Sequence, residues 1–198
     1  MAALIASTIG PVQSILGWVI SGSLWPGYDP IRKTISDLAA DDSPVQAIQT
    51  SFFFLGATLT VIGAISARTL ALPGRITLLL AGLATYALAI FTTPSQTGHS
   101  DAHRIAASIS FVLMSAWPLL SMRFDRSYPW ILRPWAAIGS TIGLTLISLW
   151  FLTTWLDPNT TVVGLSERVI VTAQVLWLSV TIWVCWLQQR KQAIDYSI

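Results

Sequence analysis

Six runs of mostly apolar residues, each close to the length that carries an α-helix across a bilayer, take up most of this chain. They lie at Ala3 to Trp25, Gln46 to Arg68, Arg75 to Thr93, His103 to Met122, Ile131 to Thr153 and Leu165 to Leu187. Hydrocarbon offers the backbone no hydrogen-bond partner, so a spanning segment must satisfy its own N–H and C=O groups; at roughly 20 residues a helix does this. The expected fold is therefore all-α: a polytopic membrane helix bundle with about six transmembrane helices, forming one integral-membrane domain over residues 1–198. With 10% charged residues the chain also falls far below the roughly one-quarter of soluble domains. The first run has no basic n-region and no small-residue cleavage site after Trp25, so it is read as a membrane helix and not as a secretory leader.

Six crossings put both termini on one side. That side then holds Arg68, Arg75, Arg123, Arg126, Arg133, Arg190 and Lys191, while the other holds Arg32, Lys33, Arg104 and Arg168. The bias of Lys and Arg places both termini in the cytoplasm. The acids sort the opposite way: Asp29, Asp37, Asp41, Asp42, Asp101, Asp157 and Glu167 gather at the outer end with His99 and His103. Acidic residues do little to set topology. Either the outer face is simply solvated, or a site is built on the outer ends of the helices.

The stretch "DPIRKTISDLAADDSP" supplies four of these acids. Asp29 before Pro30 reads as a cap, and Ser43 before Pro44, with Gln46 following, reads as a capping box. Ile31, Ile35 and Leu38 recur at helical spacing, which predicts a short amphipathic helix over residues 30–41 on the outer membrane face. Asp37 then has two readings, one as an ion-pair partner of Lys33 and one as a carboxyl near an apolar face, where loss of water raises its pKa as a general acid requires. Asp41 shares its polar strip.

Asp101, His103 and Glu167 are the other ionisable candidates. In "PSQTGHSDAHRIAASISF", Ser100 or Asp101 caps the helix carrying His103. His99, Asp101 and His103 form a weak metal-ligand pattern, since a site needs further ligands from distant acids; no metal is expected. Glu167 and Arg168 open the last helix, where ionisable groups at membrane depth are functional candidates.

Ten tryptophans are a second anomaly. Trp130, Trp135, Trp183, Trp186, Trp25 and Trp155 fit interfacial belts. Trp18, Trp150 and Trp177, with Phe53 and Phe111, are candidates for a substrate-binding wall whose ring faces attract cations. Gly139 and Gly143 form a small-xxx-small face for close helix packing. Cys185 stands alone, so no disulfide framework exists. Walker, Rossmann and Gly-x-Ser-x-Gly motifs are absent from the sequence, leaving ATP use and nicotinamide binding unsupported; nucleic acid is not an expected partner.

The run from Tyr28-Asp29-Pro30 through "ISDLAADDSP" to "HSDAHRIAASISF" resembles a bacterial membrane family known only as a domain of unknown function, over nearly the whole chain. That resemblance implies a bacterial inner membrane location. The outer-end carboxylates and many aromatics are also similar to the integral-membrane terpene cyclases of fungal meroterpenoid and bacterial prenylated-indole pathways, although the fungal group has seven helices. What this second resemblance implies is a mechanism type: proton-initiated cyclisation of a prenyl chain on a lipophilic or indole-alkaloid substrate, without a cofactor. Asp37 is the first choice of acid, with Asp41, Asp101, His103 and Glu167 in support. The alternatives are a metal-assisted intramembrane hydrolase using His99, Asp101 and His103, with Asp37 as a further candidate ligand, and a lipid-binding or transport protein without chemistry.

Overall fold

A computed structural model describes residues 1–195. Seven helices account for the fold: α1 (Ala2–Ser23), α2 (Ile35–Leu38), α3 (Gln46–Ser66), α4 (Leu72–Ile90), α5 (Asp101–Leu120), α6 (Pro134–Leu156) and α7 (Val163–Asp195), with a short 3₁₀ turn at Trp130–Leu132. All but α2 are long and apolar enough to span a membrane. The spans therefore match the sequence expectation, with ends displaced by a few residues. Pro73 and Pro134 sit in the first turns of α4 and α6, where a missing N–H costs nothing, and the largest displacement is at the end of α7, which runs on to Asp195.

The six long helices pack in chain order, α1 on α3, α3 on α4, α4 on α5, α5 on α6 and α6 on α7, and α7 closes the ring against α1. Their alternation puts Asp29, Asp37, Asp41, Asp42, Asp101, Asp157 and Glu167 at one end and both ends of the described chain at the other. A dry cluster that includes Leu78, Trp117, Ile131, Leu132 and Cys185 closes the basic end. Toward the acidic end the ring encloses open space instead.

Three local expectations change. The short amphipathic helix contracts to Ile35–Leu38, and its apolar pair Ile35 and Leu38 is buried in the bundle while Ile31 faces outward. Ser43 does not cap α3, which begins after Val45; its hydroxyl accepts from Val45 N (3.2 Å) and donates to Leu38 O (2.8 Å), tying α2 to α3. Gly139 and Gly143 face open space, since a Cβ at either would meet nothing within 4 Å. Close approach of helices occurs instead at Gly74, whose added Cβ would fall 2.8 Å from Ser121 Cα.

Candidate functional site

The acidic end is organised by a clamp between α7 and the loop before α2. Arg168 donates to three carbonyls, those of Pro30 (2.7 Å), Lys33 (2.9 Å) and Gly164 (2.8 Å), and to Tyr28 Oη (2.5 Å). Tyr28 in turn donates to Thr34 O (2.7 Å). The Arg168 guanidinium also lies 5.2 Å from the centre of the Trp18 ring. Gly164 lets the loop come this close, because a Cβ there would fall 2.1 Å from Lys33 O. Bonded this way, the buried Arg168 holds a loop in place; it does not snorkel to water.

The clamp delivers α2 onto the top of α7. Thr34 caps α2: its hydroxyl accepts from Asp37 N (3.1 Å), and the Asp37 carboxylate accepts from Thr34 N (2.7 Å). This reciprocal box replaces the expected Lys33–Asp37 ion pair, because Lys33 Nζ turns to Gln96 Oε1 at 2.7 Å. Loss of water pushes the Asp37 carboxyl above its ordinary value, against the opposing pull of the Thr34 hydrogen bonds.

Glu167 lies under α2. Its carboxylate accepts the Ile35 backbone N–H, the Ser36 side chain lies beside it, and the residue is 5% exposed. Among the described residues no cation lies within ion-pair distance of it. On the other side of Ser36 stands His103. Its Nδ1 is 2.8 Å from Phe91 O, an acceptor only, so Nδ1 carries the hydrogen and Nε2 accepts from Ser36 Oγ at 3.1 Å. A continuous line of groups thus runs from Glu167 through Ser36 to His103.

Two cavities meet at this line. The inner one, about 150 Å³, lies within the helix ring, walled by aromatic residues Trp18, Phe52, Phe53 and Phe111 with Glu167 at its acidic end. The second, about 740 Å³, opens at the acidic surface and runs down between α5 and α6. Asp37, His103 and Arg104 stand at its mouth, and Thr141, Thr145 and Ser148 lie along its length. Ser36, Ala107, Phe111 and Glu167 line both.

The structure thus brings Asp37, His103 and Glu167 together and leaves other candidates elsewhere. Asp41 accepts from Gln46 Nε2 (2.8 Å) and Thr92 Oγ1 (2.6 Å), fastening α3 to the segment after α4, and lines neither cavity. The Asp101 side chain is 85% exposed, 4.0 Å from His99, because it occupies the outward side of the first turn of α5. With His103 turned inward, the suggested metal ligands do not converge, and no metal-binding group of three forms among the described residues. Of the aromatic candidates, Trp18 and Phe53 line the inner cavity and Phe111 both; Trp150 is 41% exposed on the outside, and Trp177 packs against the dry cluster. Ser36, Gln13 and Gln49 were not singled out by sequence. The glutamines carried a signal, as amides inside apolar runs; Ser36 carried none beyond its place beside Asp37.

No curated protein and no solved structure matches the chain. A family model described as "Protein of unknown function (DUF998)" matches residues 8–184, almost the whole of the bundle and every residue of the site. The chain belongs to the DUF998 family.

Proposed function

We propose that the protein is a cofactor-independent membrane enzyme of the terpene-cyclase type, in which Glu167 protonates an alkene of a prenylated, lipophilic substrate. The observation that carries this reading is a buried carboxyl, free of any cationic partner among the described residues, at the end of an aromatic-walled cavity. General acid catalysis on an alkene asks for a carboxyl screened from bulk water and for walls that stabilise positive charge without trapping it. In the first step the Glu167 O–H bond breaks as the alkene π pair forms a C–H bond, leaving the adjacent carbon positive. That carbon takes a π pair from a second alkene or an aromatic ring, forming the ring bond. Loss of a proton from the new cation to the carboxylate restores the acid, so the product is an isomer of the substrate. Ser36 and His103 offer a path for exchange of that proton with the outer groove.

Asp37, the first choice from sequence, becomes the residue that caps α2 and so positions Ser36. Replacing Glu167 by Gln keeps the shape and hydrogen-bond acceptor but removes the acid; turnover is expected to fall about 10²–10⁴-fold, the usual contribution of general acid catalysis. Full turnover by Glu167→Gln on a substrate that the wild type cyclises sinks the reading. The bias of Lys and Arg supports cytoplasmic termini and, with them, a site on the outer side of the membrane, which we take to be a bacterial inner membrane.

A second reading rests on Ser36 Oγ standing 3.1 Å from the unprotonated Nε2 of His103, the start of a nucleophile–base pair for acyl transfer. Labelling by a fluorophosphonate probe that disappears in Ser36→Ala and His103→Ala supports it; an unlabelled wild type rejects it.

A further inference from the structure

The inner cavity is apolar in its walls but not in its unmet demands. Gln13 and Gln49 are 8% and 2% exposed, both line it, and the amide oxygen of each is buried without a hydrogen-bond partner. Trp18 Nε1, on the same wall, is likewise buried and unpartnered. Buried polar groups are rarely left so, since an unmet hydrogen bond leaves the cost of removing the group from water uncompensated. Gln174, by contrast, is satisfied by Phe111 O (3.0 Å) and Ser115 Oγ (3.1 Å). The placement of Gln13 is also provided for by its neighbour: a Cβ on Gly56 would fall 2.9 Å from Gln13 Nε2.

We infer that the inner cavity binds a single aromatic ring bearing a hydrogen-bond donor, a phenol-sized head, whose prenyl chain leaves past Glu167 into the groove between α5 and α6. Three observations converge on this ligand. The volume, about 150 Å³, is that of a cavity that takes one benzene ring. Neither glutamine amide has a hydrogen-bond partner among the described residues, and a half turn exchanges its oxygen and nitrogen, so a phenolic hydroxyl, which both donates and accepts, meets either orientation, with Trp18 Nε1–H a further unpartnered donor on the same wall. Phe52 and Phe53 supply ring faces for stacking. The partition between the two cavities is a single layer of side chains, Phe111, Ala107, Ser36 and Glu167, and the chain reaches the groove by displacing it. This geometry sets the alkene nearest the ring beside the Glu167 carboxyl. The substrate class that these features fit is the prenylated monocyclic phenols. The assignment rests on the acid-initiated reading of the same site for its reaction, and on the glutamines for its binding.

The test compares 2-geranylphenol with geranylbenzene, which lacks only the hydroxyl. Binding of each to the full chain in detergent is followed by quenching of tryptophan fluorescence. The phenol is expected to bind about tenfold or more tighter than the hydrocarbon, the worth of one or two hydrogen bonds. In Gln13→Leu and Gln49→Leu the preference is expected to vanish while the hydrocarbon still binds. Equal affinity of the wild type for the two probes, or no saturable binding of either, overturns the proposal, and needs no variant to fold. Glu167→Gln separates the two claims: it should bind the phenol as the wild type does and fail to turn it over. Retained turnover in that variant with an intact phenol preference rejects the acid and leaves the ring site standing.

Discussion

Glu167 and Asp37 are both carboxyls at the acidic end, and their difference is one of connection. Asp37 spends its acceptors on the start of its own helix, as the partner of Thr34 in a capping box. Glu167 reaches across 132 residues to the backbone of Ile35. Sequence spacing displays the first kind of bond and hides the second, which is why Asp37 stands out in the chain and Glu167 stands out in the structure. The raised pKa of Asp37 has a measurable consequence. Its ionised form is disfavoured by folding, so its contribution to stability is fully present below the ordinary carboxyl value of 3.8 and is lost as pH rises through the raised value. Thermal unfolding in detergent should show this loss in the wild type and a flatter acid limb in Asp37→Asn, whose amide oxygen still caps α2. Identical pH profiles for the two proteins would contradict the assignment. Asp101 lies on the surface and lines neither cavity. Asn at Asp101 should leave both stability and turnover unchanged within about 0.5 kcal/mol and twofold, as for other exposed surface positions.

The clamp that seats α2 belongs to the element scale. One side chain, Arg168, satisfies Pro30 O, Lys33 O, Gly164 O and Tyr28 Oη. Lysine has one nitrogen where arginine has a fork, so Arg168→Lys abandons most of these acceptors. A loss of about 3 kcal/mol is expected, from several charged hydrogen bonds and the acceptors left buried. Chemical unfolding measures it, and a change under 1 kcal/mol would contradict the role. Gly164→Ala attacks the same contact from the other side, by filling the space that Lys33 O occupies. It should cost about 1–3 kcal/mol and lift α2 from α7, exposing a cysteine placed at Leu38 to a membrane-impermeant thiol reagent. None of this was legible in sequence beyond the adjacency of Glu167 and Arg168. A loop folded back onto a helix well over a hundred residues later leaves no periodic trace. The caps show the same limit: Ser43-Pro44 has the composition of a helix start, yet α3 begins after Val45 because Ser43 is held by Leu38 O.

The bundle as a whole was the most legible level, because the bilayer imposes a length that hydrophobic runs must meet. Six runs became six spans, and the alternation of the chain gathered seven of the nine acids at one end. What hydropathy does not contain is the closure of the ring by α1 against α7, and closure is what creates an interior. Gln13 and Gln49 sit in apolar runs for that reason, facing a space that only the assembled ring encloses. The same ring leaves Gly139 and Gly143 on an open face. Single cysteines at the exposed Thr97 and Ser127 should label from opposite sides of the membrane, Thr97 from outside, if the charge distribution sets the orientation.

The central claim, proton donation by Glu167 into an aromatic-walled cavity, is tested most directly by the isotopic mass of the product. Wild type and Glu167→Gln, both shown to be folded, are incubated in heavy water with a panel of prenylated phenols, and the products are separated and weighed. The account predicts a cyclised isomer from the wild type carrying one solvent deuteron on carbon, and none from Glu167→Gln. A deuterated product formed by Glu167→Gln at the wild-type rate would contradict it.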